Sequence, residues 1–501
     1  MKSIAFPFYL FTAAVATALL LPFWLQDGMF LDGVIYAAVA RNLSEGIGEI
    51  WQPMFHCKVE EIFYEQPTFA FWLQSLFFRV FGDSIYVERF YSAITYIIAY
   101  FSIIYIYKKN IHADKKTLWL PVFFYTITPL VFWSYRHNML ENTMLIFDLW
   151  AVFLLGKEES KRVENKKVRE WESDLESKKV QFPSLFTVHR SLFIVHCSLF
   201  IIGVFFIFLA VLTKGVVGLF PLGIFFGQWL ILKKISFTEM LKRTFFAIFL
   251  LVFHFLLLFY LSPKAFYFFQ QYIDIQLLRS LKGERELTDD GNHFLLLIRL
   301  LQELIPMFFI YGLFKINLFF KNRKTFFTKK IHSEQVIFWL YIGLSASLPM
   351  MVSPKQHSYY LVPSMPYFAI AAALLTAHYI APILDFFNAK KILIVSCIVL
   401  LISVLYSFSF YKKVSRDEAM LYDIRLMKNL IPPCSLIGID QIFYSEYAVG
   451  TYLMRYNHFD AVIDDKTQSF FLSERKHSLI NDGFDEILIG EMKFFRLWKK
   501  K

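Results

Sequence analysis

Residues 244–262 read TFFAIFLLVFHFLLLFYLS, 19 residues without an Asp, Glu, Lys or Arg. A run of this length and composition is typical of a helix that crosses the apolar core of a bilayer. Ten further runs of spanning length lie on either side of it. They fall at residues 5–25, 85–107, 117–135, 139–156, 191–212, 215–232, 294–319, 334–352, 358–378 and 391–410. The sequence therefore predicts an all-α polytopic membrane protein, a bundle of about 11 transmembrane helices.

The composition agrees with this class. Hydrophobic residues make up 57% of the 501 residues, and 60 Phe stand against 19 Gly, which excludes an ordinary water-soluble enzyme. The charge of +11 is explained by the cytoplasmic-loop bias of membrane proteins rather than by nucleic-acid binding. Four cysteines lie far apart without metal-ligand spacing, so the pattern indicates neither a disulfide framework nor a structural zinc site.

Loop charge predicts the orientation of the bundle. With a cytoplasmic amino terminus, the inner loops carry 24 Lys and Arg and the outer loops about ten. This orientation makes outer loops 26–84 and 263–293 and the carboxyl terminus extracytoplasmic. Residues 157–190 become a cytoplasmic charged insertion followed by a short heptad repeat.

The chain changes character after residue 410. A polar helical pattern at 417–429 is followed by short apolar runs at 435–439, 461–463 and 486–489, which are short enough for strands. Two domains are therefore predicted: a transmembrane domain at 1–410 and a small soluble extracytoplasmic α/β domain at 411–501.

Five charged residues fall on the predicted outer face: Asp32, Glu65, Glu141, Lys214 and Lys355. Each has a structural explanation when taken alone. Asp32 precedes a helix and would cap it, Glu65 would be a solvated loop carboxylate, and charges at helix ends such as Glu141 cost little. Their common side of the membrane favours one shared site instead.

Four motifs carry a more specific resemblance. They are DG-x-x-Y-A at 32–37, EQP at 65–67, TKG-x-x-GL at 213–219 and PK-x-x-x-YYL-x-P-x-x-P at 354–366. In this order, over roughly residues 1–380, the chain resembles the GT-C membrane glycosyltransferases. Within them it is most similar to the group of lipid A aminoarabinose transferases and protein O-mannosyltransferases (dolichyl-phosphate-mannose-protein mannosyltransferase-like).

The resemblance implies a GT-C-like bundle in the bacterial inner (plasma) membrane. It also implies an inverting glycosyltransferase of the cell envelope, acting in lipid A or protein glycosylation. Such an enzyme moves a hexosyl or pentosyl group from a polyprenyl-phosphate carrier to a glycolipid, glycan or protein on the extracytoplasmic face. A transporter or flippase of lipid-linked sugars is the main alternative, and a non-catalytic assembly subunit is another.

The same resemblance implies the roles of individual residues. Asp32, Glu65 and Glu141 match the catalytic acidic positions. Seven further residues are expected to bind the carrier phosphate or sugar: Tyr36, Arg41, Lys214, Arg279, His293, Lys355 and Tyr360. Gln66 and Gln276 stand where the aminoarabinose transferases have a lysine and a metal-associated histidine. The sequence identifies no certain cofactor, and a divalent metal ion in the site remains an open alternative.

Overall fold

The structure is a computed structural model that describes residues 5–110, 115–157, 185–282, 294–321, 333–352, 356–444, 448–475, 483–488 and 490–501. Most of these residues are helical. The first part contains α1 (Ala5–Trp24), α2 (Leu31–Glu45), α3 (Phe69–Phe81), α4 (Ile85–Asn110), α5 (Leu120–Ile127), α6 (Pro129–Arg136), α7 (Glu141–Gly156), α8 (Leu185–Lys214) and α9 (Ile224–Leu230). The second part contains α10 (Phe237–Leu261), α11 (Pro263–Tyr272), α12 (Leu295–Lys321), α13 (Ser333–Ser347), α14 (Met365–Leu384), α15 (Ala389–Phe408), α16 (Glu418–Met427) and α17 (Ala448–Asn457).

Tighter or wider helical turns connect some of these helices. The 3-10 segments lie at Lys115–Thr117, Gly215–Gly223, Leu348–Val352, Ser358–Ser364 and Gln441–Tyr444. A π-helical segment, Ile273–Leu278, leads into the short helical turn Arg279–Leu281. The described part of the chain contains seven strands: β1 (Gly48–Glu49), β2 (Gln52–Pro53), β3 (Leu436–Ile439), β4 (Asp460–Ile463), β5 (Phe470–Glu474), β6 (Phe484–Glu486) and β7 (Phe495–Lys500).

The predicted multi-pass architecture is confirmed. Within the described residues, eight helices are long and apolar enough to cross a membrane, or nine when the bent pair 115–127 and 129–136 counts as one span. The number is smaller than 11 for two reasons. Helix α7 has only 16 residues, and 198–230 counts as one span although the chain turns back within it. A Cβ on Gly218 would lie 2.7 Å from the Ala210 carbonyl carbon, so the two arms form a hairpin.

The first and last membrane helices of the bundle pack along each other. Ser396 in α15 donates a hydrogen bond to the Pro7 carbonyl in α1 at 3.0 Å. Beyond the helix ends, the Asp27 N–H donates to the Lys413 carbonyl at 2.8 Å, and the two strands of chain form a short parallel bridge. This junction holds the carboxyl-terminal region against the first outer loop.

The carboxyl-terminal region contains a five-stranded sheet with the order β4-β3-β5-β7-β6. The first three strands are parallel and β7 runs antiparallel to β5 and β6. Strands occur near all three predicted positions, whereas β5 and β7 were not predicted. One apolar core joins this region to the first outer loop, and it includes Val34 and Phe71 as well as Leu421, Ile437 and Leu497.

A disulfide connects the same two regions. Cys57 in the first outer loop is bonded to Cys434 before β3, with 5.4 Å between their Cα atoms. The expectation of no disulfide was wrong, because the two cysteines are 377 residues apart and spacing along the chain carries no signal of their contact. The bond ties the carboxyl-terminal sheet covalently to the outer loop.

We expect Cys57→Ser to lower the unfolding free energy of the carboxyl-terminal region by about 2–4 kcal/mol, since the unfolded chain loses a long loop constraint. Thermal unfolding in detergent, with and without reductant, measures the effect. Cys397→Ser is the matched control, because Cys397 is a free cysteine on α15. Equal melting temperatures for wild type and Cys57→Ser without reductant would contradict the expectation.

Candidate active site

The start of α2 is held against the turn that follows α6. The Phe30 N–H donates a hydrogen bond to His137 Nδ1 at 3.0 Å. A Cβ on Gly33 would lie 1.9 Å from the His137 carbonyl oxygen, so only glycine permits this approach. Burial and, to a lesser extent, the nearby Arg89 lower the pKa of His137 to about 3, which keeps the imidazole a neutral acceptor. These contacts determine where Asp32 lies.

Asp32 is half-buried in the first turn of α2 and does not cap the helix, whose N-cap residue is Phe30. Its carboxylate faces two tyrosines instead. The Tyr36 hydroxyl lies 3.5 Å from Asp32 Oδ2, and the Tyr359 hydroxyl also hydrogen-bonds to Asp32. Burial raises the pKa of Tyr36 well above its usual value, and Asp32 and Glu141 raise it further. Tyr36 therefore stays protonated as a donor.

A buried ion pair lies beside these tyrosines. Glu141, the first residue of α7, is 1% exposed, and Lys214, the last residue of α8, is 6% exposed. Their Oε1 and Nζ atoms are 2.7 Å apart. Lys214 Nζ also lies 5.8 Å from the centre of the Tyr36 ring and 5.5 Å from that of Tyr359. The Glu141–Lys214 ion pair and the group of Asp32 with its two tyrosines thus lie together. We define these five residues, Asp32, Tyr36, Glu141, Lys214 and Tyr359, as the acid–cation cluster.

Lys214 reaches the cluster because the chain reverses directly after it. Gly215 has φ +77°, a conformation that residues with a side chain rarely adopt. A Cβ at this position would lie 2.0 Å from the Tyr272 hydroxyl oxygen. The glycine of the TKG motif is therefore required both by the backbone turn and by the close approach of Tyr272.

A cavity of about 380 Å³ opens beside Lys214. Lys214 is its charged group, and the other polar side chains along it include Gln66, Gln276, Ser280 and Tyr360. The remaining wall is largely apolar and includes Val216, Val217, Leu219, Phe220, Leu277, Met350 and Val352. The cavity therefore combines one ammonium group with a surface suited to hydrocarbon.

The structure brings several predicted residues together. Asp32, Tyr36, Glu141 and Lys214 belong to the cluster, and Tyr360 lines the cavity. Glu65 is an exposed loop residue whose negative charge still acts on Tyr36.

Two predicted residues lie elsewhere. Arg41 is fully buried near the far end of α2, where its guanidinium donates to the carbonyls of Met454 and Arg455 at 3.0 and 2.7 Å. Arg279 is exposed, although its neighbour Ser280 lines the cavity. His293 and Lys355 lie outside the described residues. Arg41 thus has a structural contact with the carboxyl-terminal region instead of a place in the cluster.

The donor set of the cluster does not fit a divalent metal ion. The carboxylate of Glu141 is already paired with Lys214, and Gln276 offers an amide where a histidine would be needed. Among the described residues, no three His, Cys, Asp or Glu ligand atoms converge here. The cluster therefore offers acid–base and cationic side chains for chemistry.

Two residues of the site were not predicted from the sequence. Tyr359 contacts both Asp32 and Lys214, whereas the sequence predicted a binding role only for its neighbour Tyr360. Tyr272 fills the space left by Gly215 and lines the cavity. Its position in the second outer loop, between an apolar helix and Arg279, was the available signal, but tyrosine is too common in membrane helices to stand out.

We expect Gly215→Ala to destabilise the protein by at least about 2 kcal/mol, because the left-handed backbone costs about 1–2 kcal/mol and the Tyr272 clash adds to it. Thermal unfolding measures this, and Gly312→Ala is the control, since a Cβ there meets nothing within 4 Å. In a Tyr272→Ala background the cost of Gly215→Ala should fall. Fully additive effects would contradict the assigned clash.

Comparisons with known proteins concern the family and the fold of the chain. The family model of dolichyl-phosphate-mannose-protein mannosyltransferases matches residues 65–171, about a fifth of the chain. Two crystal structures of ArnT from Cupriavidus metallidurans are similar over 98% of this chain and 97% of theirs, at 11% identity. The TM-score is 0.62 for apo ArnT and 0.59 for ArnT bound to undecaprenyl phosphate. No curated protein sequence matches the chain significantly.

The matched segment contains Glu65, Gln66 and Glu141, and the structural match extends over nearly the whole bundle and the carboxyl-terminal sheet. The chain therefore has the fold of the GT-C membrane glycosyltransferases, and its predicted resemblance to the aminoarabinose transferase and protein mannosyltransferase group is confirmed.

Proposed function

We propose that the chain is a glycosyltransferase that moves a sugar from a polyprenyl-phosphate carrier to an acceptor on the extracytoplasmic side of the membrane. The observation that carries this proposal is the cavity beside Lys214. A polyprenyl phosphate has an anionic head and a hydrocarbon tail, and the cavity offers an ammonium group and an apolar wall. The similarity to ArnT, one structure of which is bound to undecaprenyl phosphate, supports the same donor class.

The reaction breaks the bond between the anomeric carbon of the sugar and a phosphate oxygen of the carrier. The acceptor hydroxyl forms the new bond to that carbon and loses its proton, while negative charge grows on the departing phosphate. Two kinds of group are needed: a carboxylate that takes the proton and a cation that stabilises the phosphate. The acid–cation cluster contains both within one site.

Asp32 is the proposed general base. It is half-buried and reachable, and Tyr36 and Tyr359 both donate towards it, which orients the carboxylate. Glu141 is tied to Lys214 and Glu65 is exposed in a loop, so neither is placed as a covalent nucleophile. A single candidate base among the described residues of the cluster supports direct displacement with inversion at the anomeric carbon.

Lys214 is the proposed phosphate partner. Its ammonium bonds to Glu141 on one side and faces the cavity on the other, so Glu141 holds it in place while the phosphate binds. Ser280 and Tyr360 can add hydrogen bonds to the carrier head, since both line the same cavity. Arg279, His293 and Lys355 remain proposed contributors to phosphate binding, and Glu65 a proposed positioning carboxylate.

The extracytoplasmic location of the site is supported by the disulfide. Disulfides form and persist in oxidising compartments, and Cys57–Cys434 joins the first outer loop to the carboxyl-terminal region. The bond therefore supports an extracytoplasmic position for both regions, in agreement with the loop-charge orientation. We propose a bacterial plasma membrane location, with a cytoplasmic amino terminus, an extracytoplasmic carboxyl terminus, and a glycolipid, glycan or protein as acceptor.

We expect Asp32→Asn to lower the rate of sugar transfer by about 10²–10⁴-fold, because the general base is lost. Purified enzyme in vesicles with radiolabelled polyprenyl-phosphate sugars measures transfer, and carrier binding is measured separately. Glu61→Gln, an exposed carboxylate in the same outer loop, is the control. Transfer at the wild-type rate by Asp32→Asn would exclude the base assignment, and carrier movement across the bilayer without transfer would favour a flippase.

We expect Lys214→Gln to weaken polyprenyl-phosphate binding by about 10–100-fold, since a hydrogen bond to a charged group contributes about 1.5–3 kcal/mol. The variant is made together with Glu141→Gln, so that no buried carboxylate is left unpaired. Lys264→Gln is the control, because Lys264 also pairs with a glutamate, Glu49 at 2.6 Å, but on the exposed surface. Equal carrier affinity in the Lys214 variant and wild type would disprove the phosphate role.

A further inference from the structure

Three helix ends meet on the outer side, away from the acid–cation cluster. Helix α2 ends at Glu45, α3 ends at Phe81 two residues before Asp83, and α17 ends at Asn457 directly before His458. One ligand atom from each of Glu45, Asp83 and His458 lies within 4.8 Å of the others. Three segments far apart in the chain thus place two carboxylates and one imidazole at a single point.

The electrostatics of this point favour a cation. Helix carboxyl ends carry partial negative charge, and a carboxylate there is unfavourable unless positive charge compensates it. Glu45 is at such an end, whereas Asp83 and Glu88 lie just before and within the first turn of α4, whose positive end offsets part of their charge. Negative charge therefore accumulates mainly around Glu45, where the carboxyl ends of α2 and α17 meet.

Arginines compensate only part of this charge. Arg455 donates to Asp83 Oδ1 at 2.7 Å and to Glu88 Oε2 at 2.9 Å. Arg41 is directed instead at the carbonyls of Met454 and Arg455. The exposed Arg79 reaches the Leu43 carbonyl at 3.5 Å. The direct contact of Glu45 is with His458, whose Nε2 lies 2.8 Å from Glu45 Oε2, and the charge of Glu45 also acts on the Arg41 guanidinium.

We propose that Glu45, Asp83 and His458 bind one divalent transition-metal ion of the zinc class. Zinc accepts one imidazole nitrogen and two carboxylate oxygens and keeps a fourth position for water. Calcium and magnesium prefer oxygen ligands alone, so the imidazole favours a transition metal. On binding, the ion replaces the direct His458–Glu45 contact and is held by neutral imidazole and two carboxylates.

A second histidine–carboxylate pair in the same region differs in how its carboxylate is hydrogen-bonded. His56 Nδ1 lies 3.2 Å from Asp460 Oδ1, yet the Asp460 oxygens also accept backbone N–H groups of Cys57 and Lys58. Burial would raise the pKa of Asp460, but the hydrogen bonds from His56 and these amides hold it below its usual value. Both carboxylate oxygens of Asp460 accept hydrogen bonds from the protein, whereas the described contact of the Glu45 carboxylate is made by Oε2 alone.

The ion would act as a clamp between regions. Glu45 and Asp83 belong to the first outer loop, and His458 belongs to the carboxyl-terminal region. The site is distinct from the acid–cation cluster, since Glu45 follows Asp32 by 13 residues of α2, about 20 Å along a helix. The proposal is therefore independent of the proposed transferase activity.

Isothermal titration of the full-length protein in detergent tests the site. The protein is stripped with chelator and titrated with zinc chloride, and thermal unfolding is followed in parallel. We expect one saturable zinc per chain, with micromolar or tighter affinity, and a rise in melting temperature. His458→Ala and Glu45→Gln should each weaken binding at least tenfold, while His56→Ala and Glu65→Gln keep wild-type affinity.

Four outcomes would overturn the proposal. The first two are no saturable zinc binding by the wild type and wild-type zinc affinity in Glu45→Gln. The third is a loss of zinc affinity in His56→Ala as large as that in His458→Ala. The fourth is a loss of zinc affinity in Glu65→Gln but not in Glu45→Gln. If His458→Ala fails to fold, Asp83→Asn provides the second variant, and its unfolding without zinc shows whether the fold is intact. Loss of zinc binding with a wild-type apo melting temperature supports the assignment.

Discussion

The site depends on one buried ion pair, Lys214 with Glu141. Each charge alone would be very costly inside an apolar bundle, because the free energy lost on desolvation is larger than the free energy gained from weak polar contacts. Together they are held at the end of α8 and the start of α7, where the positive helix end also favours Glu141. The glycine turn at 215, the packing of Tyr272 and the two cluster tyrosines all serve to keep this pair in one geometry.

The second requirement is that α2 be covered on its outer side. Its residues contribute to the apolar core that also contains α16, α17 and the carboxyl-terminal sheet. Arg41 and Tyr452 extend this contact with hydrogen bonds to the backbone, Tyr452 donating to the Met29 carbonyl at 2.9 Å. The helix that carries Asp32 is thus positioned from two sides, by the membrane bundle below and by the carboxyl-terminal region above.

The bundle could be predicted from the sequence because a helix that lies in the hydrocarbon core of a bilayer needs a long apolar run, such as 244–262. The sequence also predicted that Asp32, Glu141 and Lys214 share one side, since alternation of loops determines sides without any tertiary knowledge. It did not predict the Cys57–Cys434 bond or the burial of Arg41, because both depend on contacts across hundreds of residues. The capping interpretation of Asp32 failed for a local reason: the helix begins two residues earlier than that role requires, at Leu31 after Phe30.

The parallel bridge between Asp27 and Val414 has a consequence for biogenesis. A ribosome delivers residue 27 early and residue 414 only when more than four-fifths of the chain has been made. Until that segment is present, α2 lacks the partners that cover its apolar face, and the position of Asp32 is not fixed. The geometry of the acid–cation cluster therefore depends on a segment that is synthesised long after Asp32 itself.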